Sequence, residues 1–104
     1  MDLAEATYVL SRSFPREEFF GLTAQLRRAI VSVPSNIAEG QGRGTTNDFL
    51  RFLGIARGSL QEAETQVLLA ERLKFISGVQ TQPVLQLADE VSRVLRGLQQ
   101  SLES

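Results

Sequence analysis

The run Gly40-Gln41-Gly42-Arg43-Gly44 stands just ahead of a helix start at Thr45, where free backbone N–H groups and the helix dipole can hold an anion. Its surroundings argue against a phosphate loop. No strand precedes it, no Lys-Ser/Thr pair follows it, and it meets neither the Walker nor the dinucleotide spacing. The competing reading is a helix-to-helix turn in which Gly40 closes one helix in the left-handed conformation and the other glycines allow the reversal. Glu39, Glu62 and Glu64 raise metal or acid–base chemistry, yet di-metal bundles draw their ligands from Glu-x-x-His repeats, and this chain has no His and no Cys. The same absence excludes disulfides, thiol nucleophiles, the usual zinc sets and the Ser-His-Asp triad. No catalytic residue, metal ligand, cofactor or small-molecule substrate is implied. Glu62 and Glu64 are expected to be solvated or to partner arginines.

Arginine is the other residue type able to do work. It supplies ten of the eleven basic residues in a chain of net charge −1. Between residues 27 and 57 lie Arg27, Arg28, Arg43, Arg51 and Arg57 against only Glu39 and Asp48, a local excess of +3. Planar guanidinium groups suit bidentate recognition of phosphate, so an RNA- or DNA-binding surface is one expectation. Exposed helix faces that use arginine for ion pairs are the other, because the overall basic excess of a nucleic-acid-binding domain is absent.

The elements that must position these residues are helices. Leu53, Ala56, Leu60, Ala63, Val67 and Ala70 alternate steps of three and four, which predicts one long helix over about 46–74, capped by Thr45 with Asp48 and stopped by Ser77 and Gly78. At 1.5 Å per residue it spans about 40 Å, so the body is rod-like. Leu3, Ala6, Leu10 and Phe14 give a first helix over 2–13. Phe19, Leu22, Leu26, Ala29, Val33 and Ile37 give a second over 17–39. Val84, Leu87, Val91, Val94 and Leu98 give a last over 83–102, with Thr81 as cap and Pro83 in its first turn. Pro34 predicts a kink near 29–33, and Asn36 with Glu39 has the spacing of a capping box that restarts the helix. No segment alternates with the period of a strand. The fold class is all-α: an elongated, antiparallel up-down-up-down four-helix bundle in one domain of 104 residues. No apolar run reaches the ~20 residues of a membrane span, and no signal-peptide pattern opens the chain, which predicts the cytoplasm.

Two features of the long helix point outward. Gly54 and Gly58 each cost about 1 kcal/mol relative to Ala, and together they form a smooth patch for a neighbouring helix of the same chain or another subunit. Phe52, Ile55, Leu69 and Leu73 form a second apolar row, broken by Ser59, Glu62 and Gln66, which suggests homo-oligomerisation.

The stretches Phe14-Pro15, Phe20-Gly21-Leu22-Thr23, Gln25-Leu26-Arg27-Arg28-Ala29, Val33-Pro34-Ser35-Asn36-Ile37-Ala38-Glu39-Gly40, Gly42-Arg43, Phe49-Leu50-Arg51-Phe52-Leu53 and Gly58-Ser59-Leu60 occur in that order. In them the chain resembles the bacterial four-helix bundle proteins encoded by intervening sequences of the large ribosomal RNA gene. The resemblance implies a left-handed antiparallel bundle that assembles as a ring-like homopentamer, with no established enzymatic activity and a suspected association with nucleic acid. Under it, Arg27, Arg28, Arg43 and Arg51 are the residues available for a basic surface. The alternative function is a structural or adaptor bundle that binds a protein partner and no nucleic acid. The sequence departs from the family pattern in a short first helix without tryptophan, which leaves open whether that helix is truncated, and in Arg57, where a small or apolar residue is common.

Overall fold

A computed structural model describes residues 2–103. Four helices, α1 (Asp2–Ser11), α2 (Leu22–Gly42), α3 (Thr46–Arg72) and α4 (Gly78–Glu103), account for most of the described chain. The body measures 43 × 24 × 18 Å. Its long axis matches the ~40 Å that α3 alone spans. Helix α2 packs on α1 and α3, and α4 packs on α3 and α1, so each helix touches two neighbours around a ring. Chain direction follows from paired contacts. Ser32 meets Ser59 while Gly40 faces Phe52, so α2 and α3 are antiparallel. Arg57 meets Gln99 while Glu64 faces Asp89, so α3 and α4 are antiparallel as well.

One apolar cluster fills the interior. Every residue of the α3 seam, from Leu53 to Ala70, is buried in it, and Leu26, Leu53, Leu60 and Val67 are the largest fully buried apolar side chains. Thr7 and Thr81 are buried too, each donating its hydroxyl proton to the carbonyl one turn back, Leu3 and Ser77 respectively, at 2.8 Å. This satisfies the polar atom and leaves the methyl group for packing.

Several boundaries differ from the periodicity, each for a local reason. The first helix stops at Ser11 rather than 13. The second begins at Leu22 rather than 17, because Arg16–Glu18 forms a separate 3-10 turn whose Glu18 carboxylate accepts from Leu22 N at 3.2 Å and caps the helix. Phe19 is therefore exposed instead of joining the core stripe. Helix α2 continues through Pro34 to Gly42, so no capping box forms there: Asn36 donates back to the carbonyl and hydroxyl of Ser32, both at 2.8 Å, and Glu39 pairs with Arg43. Gly40 lies inside that helix, and the left-handed glycine is Gly44, with φ 84°.

Thr45 caps α3 as its spacing predicts, accepting from Asp48 N at 3.1 Å. The far end closes earlier than Ser77, at Lys74 with φ 65°. There Phe75 N donates to Ala70 O and Lys74 N to Glu71 O, both at 2.9 Å, the two bonds of a Schellman motif. Helix α4 begins five residues before Pro83. Ser77 and Gln80 form a reciprocal capping box, Ser77 N donating to Gln80 Oε1 at 2.9 Å and Gln80 N to Ser77 Oγ at 3.3 Å. Pro83 sits within the helix, and Thr81 is a core residue rather than the cap. Among the described residues no helix is long and apolar enough to cross a membrane.

Candidate nucleic-acid interface

The four arginines of the expected basic surface divide into two stations. Arg27 and Arg43 are sixteen positions apart on one helix, about 24 Å at 1.5 Å per residue. At the first station Arg27 is tied down: its Nε donates to Ser11 Oγ at 2.8 Å and its guanidinium lies 4.8 Å from the centre of the Tyr8 ring. It thus fastens α1 to α2. Arg28 next to it is exposed and joins none of the ion pairs.

The second station is built on one aromatic ring. Arg43 at the end of α2 and Arg51 in the second turn of α3 hold their guanidinium groups 5.2 Å and 4.6 Å from the centre of Phe52. Each is steadied by an acid on its own helix, Arg43 by Glu39 at 2.9 Å and Arg51 by Asp48 at 3.7 Å. Such exposed pairs contribute about 0–1 kcal/mol, so their effect is to orient the arginines more than to stabilise the fold. Phe52 is buried beneath them and leaves the outward row that the sequence assigned to it. Arg43 turns toward Glu39 and Phe52 while the cavity at the turn is lined by Gly40, Gln41, Gly44, Thr45, Thr46 and Phe49. The Arg43 guanidinium therefore does not line the cavity of that turn.

The remaining row on α3 is exposed at Ile55, Leu69 and Leu73. Its polar members differ. Ser59 shares a 2.9 Å hydrogen bond with Ser32 of α2, whereas Gln66 is buried with its Oε1 lacking any partner and its Nε2 reaching Glu62 only at 3.4 Å. Gly54 and Gly58 face open space: a methyl group at either position would meet no other part of this chain within 4 Å, so the close helix approach within the chain does not occur there. Arg57 donates to Gln99 Oε1 at 2.9 Å, which joins α3 to α4 through a neutral acceptor.

Neither central carboxylate meets an arginine. Glu62 accepts from Gln66, and Glu64 is pushed above the usual carboxylate range by burial and then by the Asp89 carboxylate of α4. Among the described residues no group of three or more potential metal ligands gathers.

A sequence profile described as 23S rRNA-intervening sequence protein matches residues 1–97. The chain belongs to that family. A crystal structure of a protein of unknown function from the S23 ribosomal protein family, from Bacteroides thetaiotaomicron VPI-5482, superposes with a TM-score of 0.85 at 23% identity, over 93% of this chain and 91% of that one. The likeness extends to the whole helical fold. No functionally curated protein matches the chain significantly. The arginine count over residues 27–57 missed Arg12 and Arg16, which the 3-10 turn brings to Arg27, and Phe19, which the same turn exposes. The signal was present as Phe14-Pro15, a breaker that forces a turn between two arginine-bearing segments.

Proposed function

We propose that this member of the intervening-sequence protein family works as a non-enzymatic homo-oligomer, the five-fold ring that the family resemblance implies, and that its arginines associate with RNA or DNA. The observation that carries the reading is the second heptad row of α3. Ile55, Leu69 and Leu73 are exposed on a helix whose opposite face is fully packed, and the orphaned Gln66 oxygen sits in the same row. An unpaired buried acceptor costs about 1–3 kcal/mol, which a donor from a second copy would remove. Gly54 and Gly58 beside the row leave room for that copy to approach closely. The nucleic-acid part is supported by the exposed guanidinium groups of Arg28, Arg43 and Arg51, since a polynucleotide strand can reach across the ~24 Å between the two stations with its phosphates.

The test is light scattering combined with gel shift at about 50 and 200 mM salt. The expected results are a mass of several chains, lost in Ile55→Asp and Leu69→Asp, and binding that falls steeply with salt and weakens in Arg28→Ala and Arg51→Ala. A monomeric parent overturns the assembly. An oligomer that binds no RNA or DNA at either salt leaves the adaptor reading, in which Arg43 and Arg51 serve only their own ion pairs.

A further inference from the structure

We propose that the notch at the α1–α2 junction holds one unpaired nucleotide, its base stacked on the ring of Phe19 and its phosphate on the guanidinium groups of Arg12, Arg16 and Arg27. The inference rests on the nucleic-acid reading above and adds where, and in what form, the strand is held.

Three segments build the notch: the end of α1, the 3-10 turn and the first turns of α2. Arg12, Arg16 and Arg27 line it together with Phe19, Ser11 and Thr23. Phe19 is 53% exposed, and Phe20, exposed by 91%, stands edge-on to it with ring centres 5.0 Å apart. An aromatic pair left in water on a chain with this much core is costly, and its faces are available for stacking. Arg27 uses its Nε on Ser11, so the geometry of that bond fixes the plane of the guanidinium while its two outer nitrogens stay free for an oxyanion. Thr23 is buried to 4% exposure, yet its hydroxyl enters none of the side-chain hydrogen bonds. Thr7 and Thr81, equally buried, both bond the preceding turn. A free hydroxyl in the wall of a three-arginine notch is a ready donor to a phosphate or sugar oxygen.

Charge and size narrow the ligand. Neither acid of the turn lines the notch, and one of them, Glu18, is engaged in capping Leu22 N. The volume of about 230 Å³ falls below that of a site for a whole drug-sized ligand, which suits a single base and phosphate. A duplex keeps its bases stacked inside and offers no free ring to Phe19, so the notch selects a single strand. The notch is separate from the self-association row, because Arg27 sits on the flank of α2 that meets α1 and Ser32 on the flank that meets α3.

The experiment is fluorescence anisotropy of the full chain with labelled oligo(U) and oligo(dT), with a duplex of the same length and inorganic polyphosphate as competitors. Binding is expected for both single strands, with weak competition by the duplex and by polyphosphate. Phe19→Ala should weaken it by about tenfold, the loss of one stacked base, and Phe19→Tyr should restore it. Arg16→Ala should weaken it and flatten the salt dependence by about one phosphate contact. Phe19 and Arg16 are both exposed, so the variants keep the fold, which circular dichroism checks. Unchanged binding in Phe19→Ala overturns the proposal, and so does competition by polyphosphate equal to that of oligo(U). If binding then depends on Arg28 and Arg51 alone, the notch falls and the broader reading stands. If the parent binds no nucleic acid, both fall.

Discussion

A methyl group on Gly40 would lie 2.7 Å from the Cβ of Phe52. The two residues mark a close approach of α2 and α3 at the end of the bundle that carries Arg43 and Arg51. Gly40→Ala should force the helices apart and cost about 1–3 kcal/mol, the usual penalty of overpacking. Thermal denaturation reads this as a fall in Tm of about 4–8 °C per kcal/mol for a domain of this size. A variant as stable as the parent would show that α3 can slide to make room.

Lys74 is the one described non-glycine residue with positive φ. The left-handed region strains a side-chain-bearing residue, and the Schellman geometry ordinarily takes glycine there. Lys74→Gly is expected to stabilise the chain by about 0.5–1 kcal/mol in urea denaturation, with an unchanged m value. A destabilised variant would mean that the lysine side chain contributes more than its backbone costs.

Glu64 predicts a pH dependence. Its carboxyl is raised above 4.5, first by burial and then by Asp89. The folded state therefore binds its proton more tightly than the unfolded chain, and this group's contribution to stability declines as pH rises from the ordinary carboxylate value through the raised one. Glu64→Gln should remove the decline, making the protein more stable than the parent at neutral pH by less than about 1 kcal/mol, given solvent screening of this partly exposed site. At acid pH the two should converge. Denaturant midpoints at both values decide it, and an equal gain at both would assign the effect to something other than charge.

Gly54 and Gly58 separate the helix from its assembly. Alanine at either site should raise helix stability by about 1 kcal/mol in the isolated chain, because the space around them is open. If copies meet at this face, the same substitutions weaken self-association, so sedimentation shows lighter species as Tm under dilute conditions rises. An assembly of unaltered mass places the contact elsewhere.

The chemistry of single helices was legible in the sequence, and the chemistry between them was not. The seam from Leu53 to Ala70 and the Thr45 cap depend on residues three and four apart, so spacing reveals them. The Ser77–Gln80 box was equally local, but Thr81 and Pro83 form a competing start signal a few residues on. Gly40 needs Phe52, twelve positions away, before its lack of a side chain acquires a reason. Arg27 could be read either as a phosphate-binding cation or as one of an ion pair, and spacing does not reveal that its partner is the neutral Ser11 of another helix. The notch was hidden for the same reason: its arginines come from both sides of a turn that no periodicity announces.

The three ion pairs found among the described residues, Glu39 with Arg43, Asp48 with Arg51 and Asp89 with Arg93, each join neighbouring turns of one helix, while the helices meet through apolar side chains, neutral or single-charge hydrogen bonds and the stacking of Arg27 on Tyr8 and Arg43 on Phe52. Concentrated electrolyte therefore has little purchase on the scaffold, whose cohesion is largely indifferent to screening, while any polyanion riding on its guanidinium groups is released.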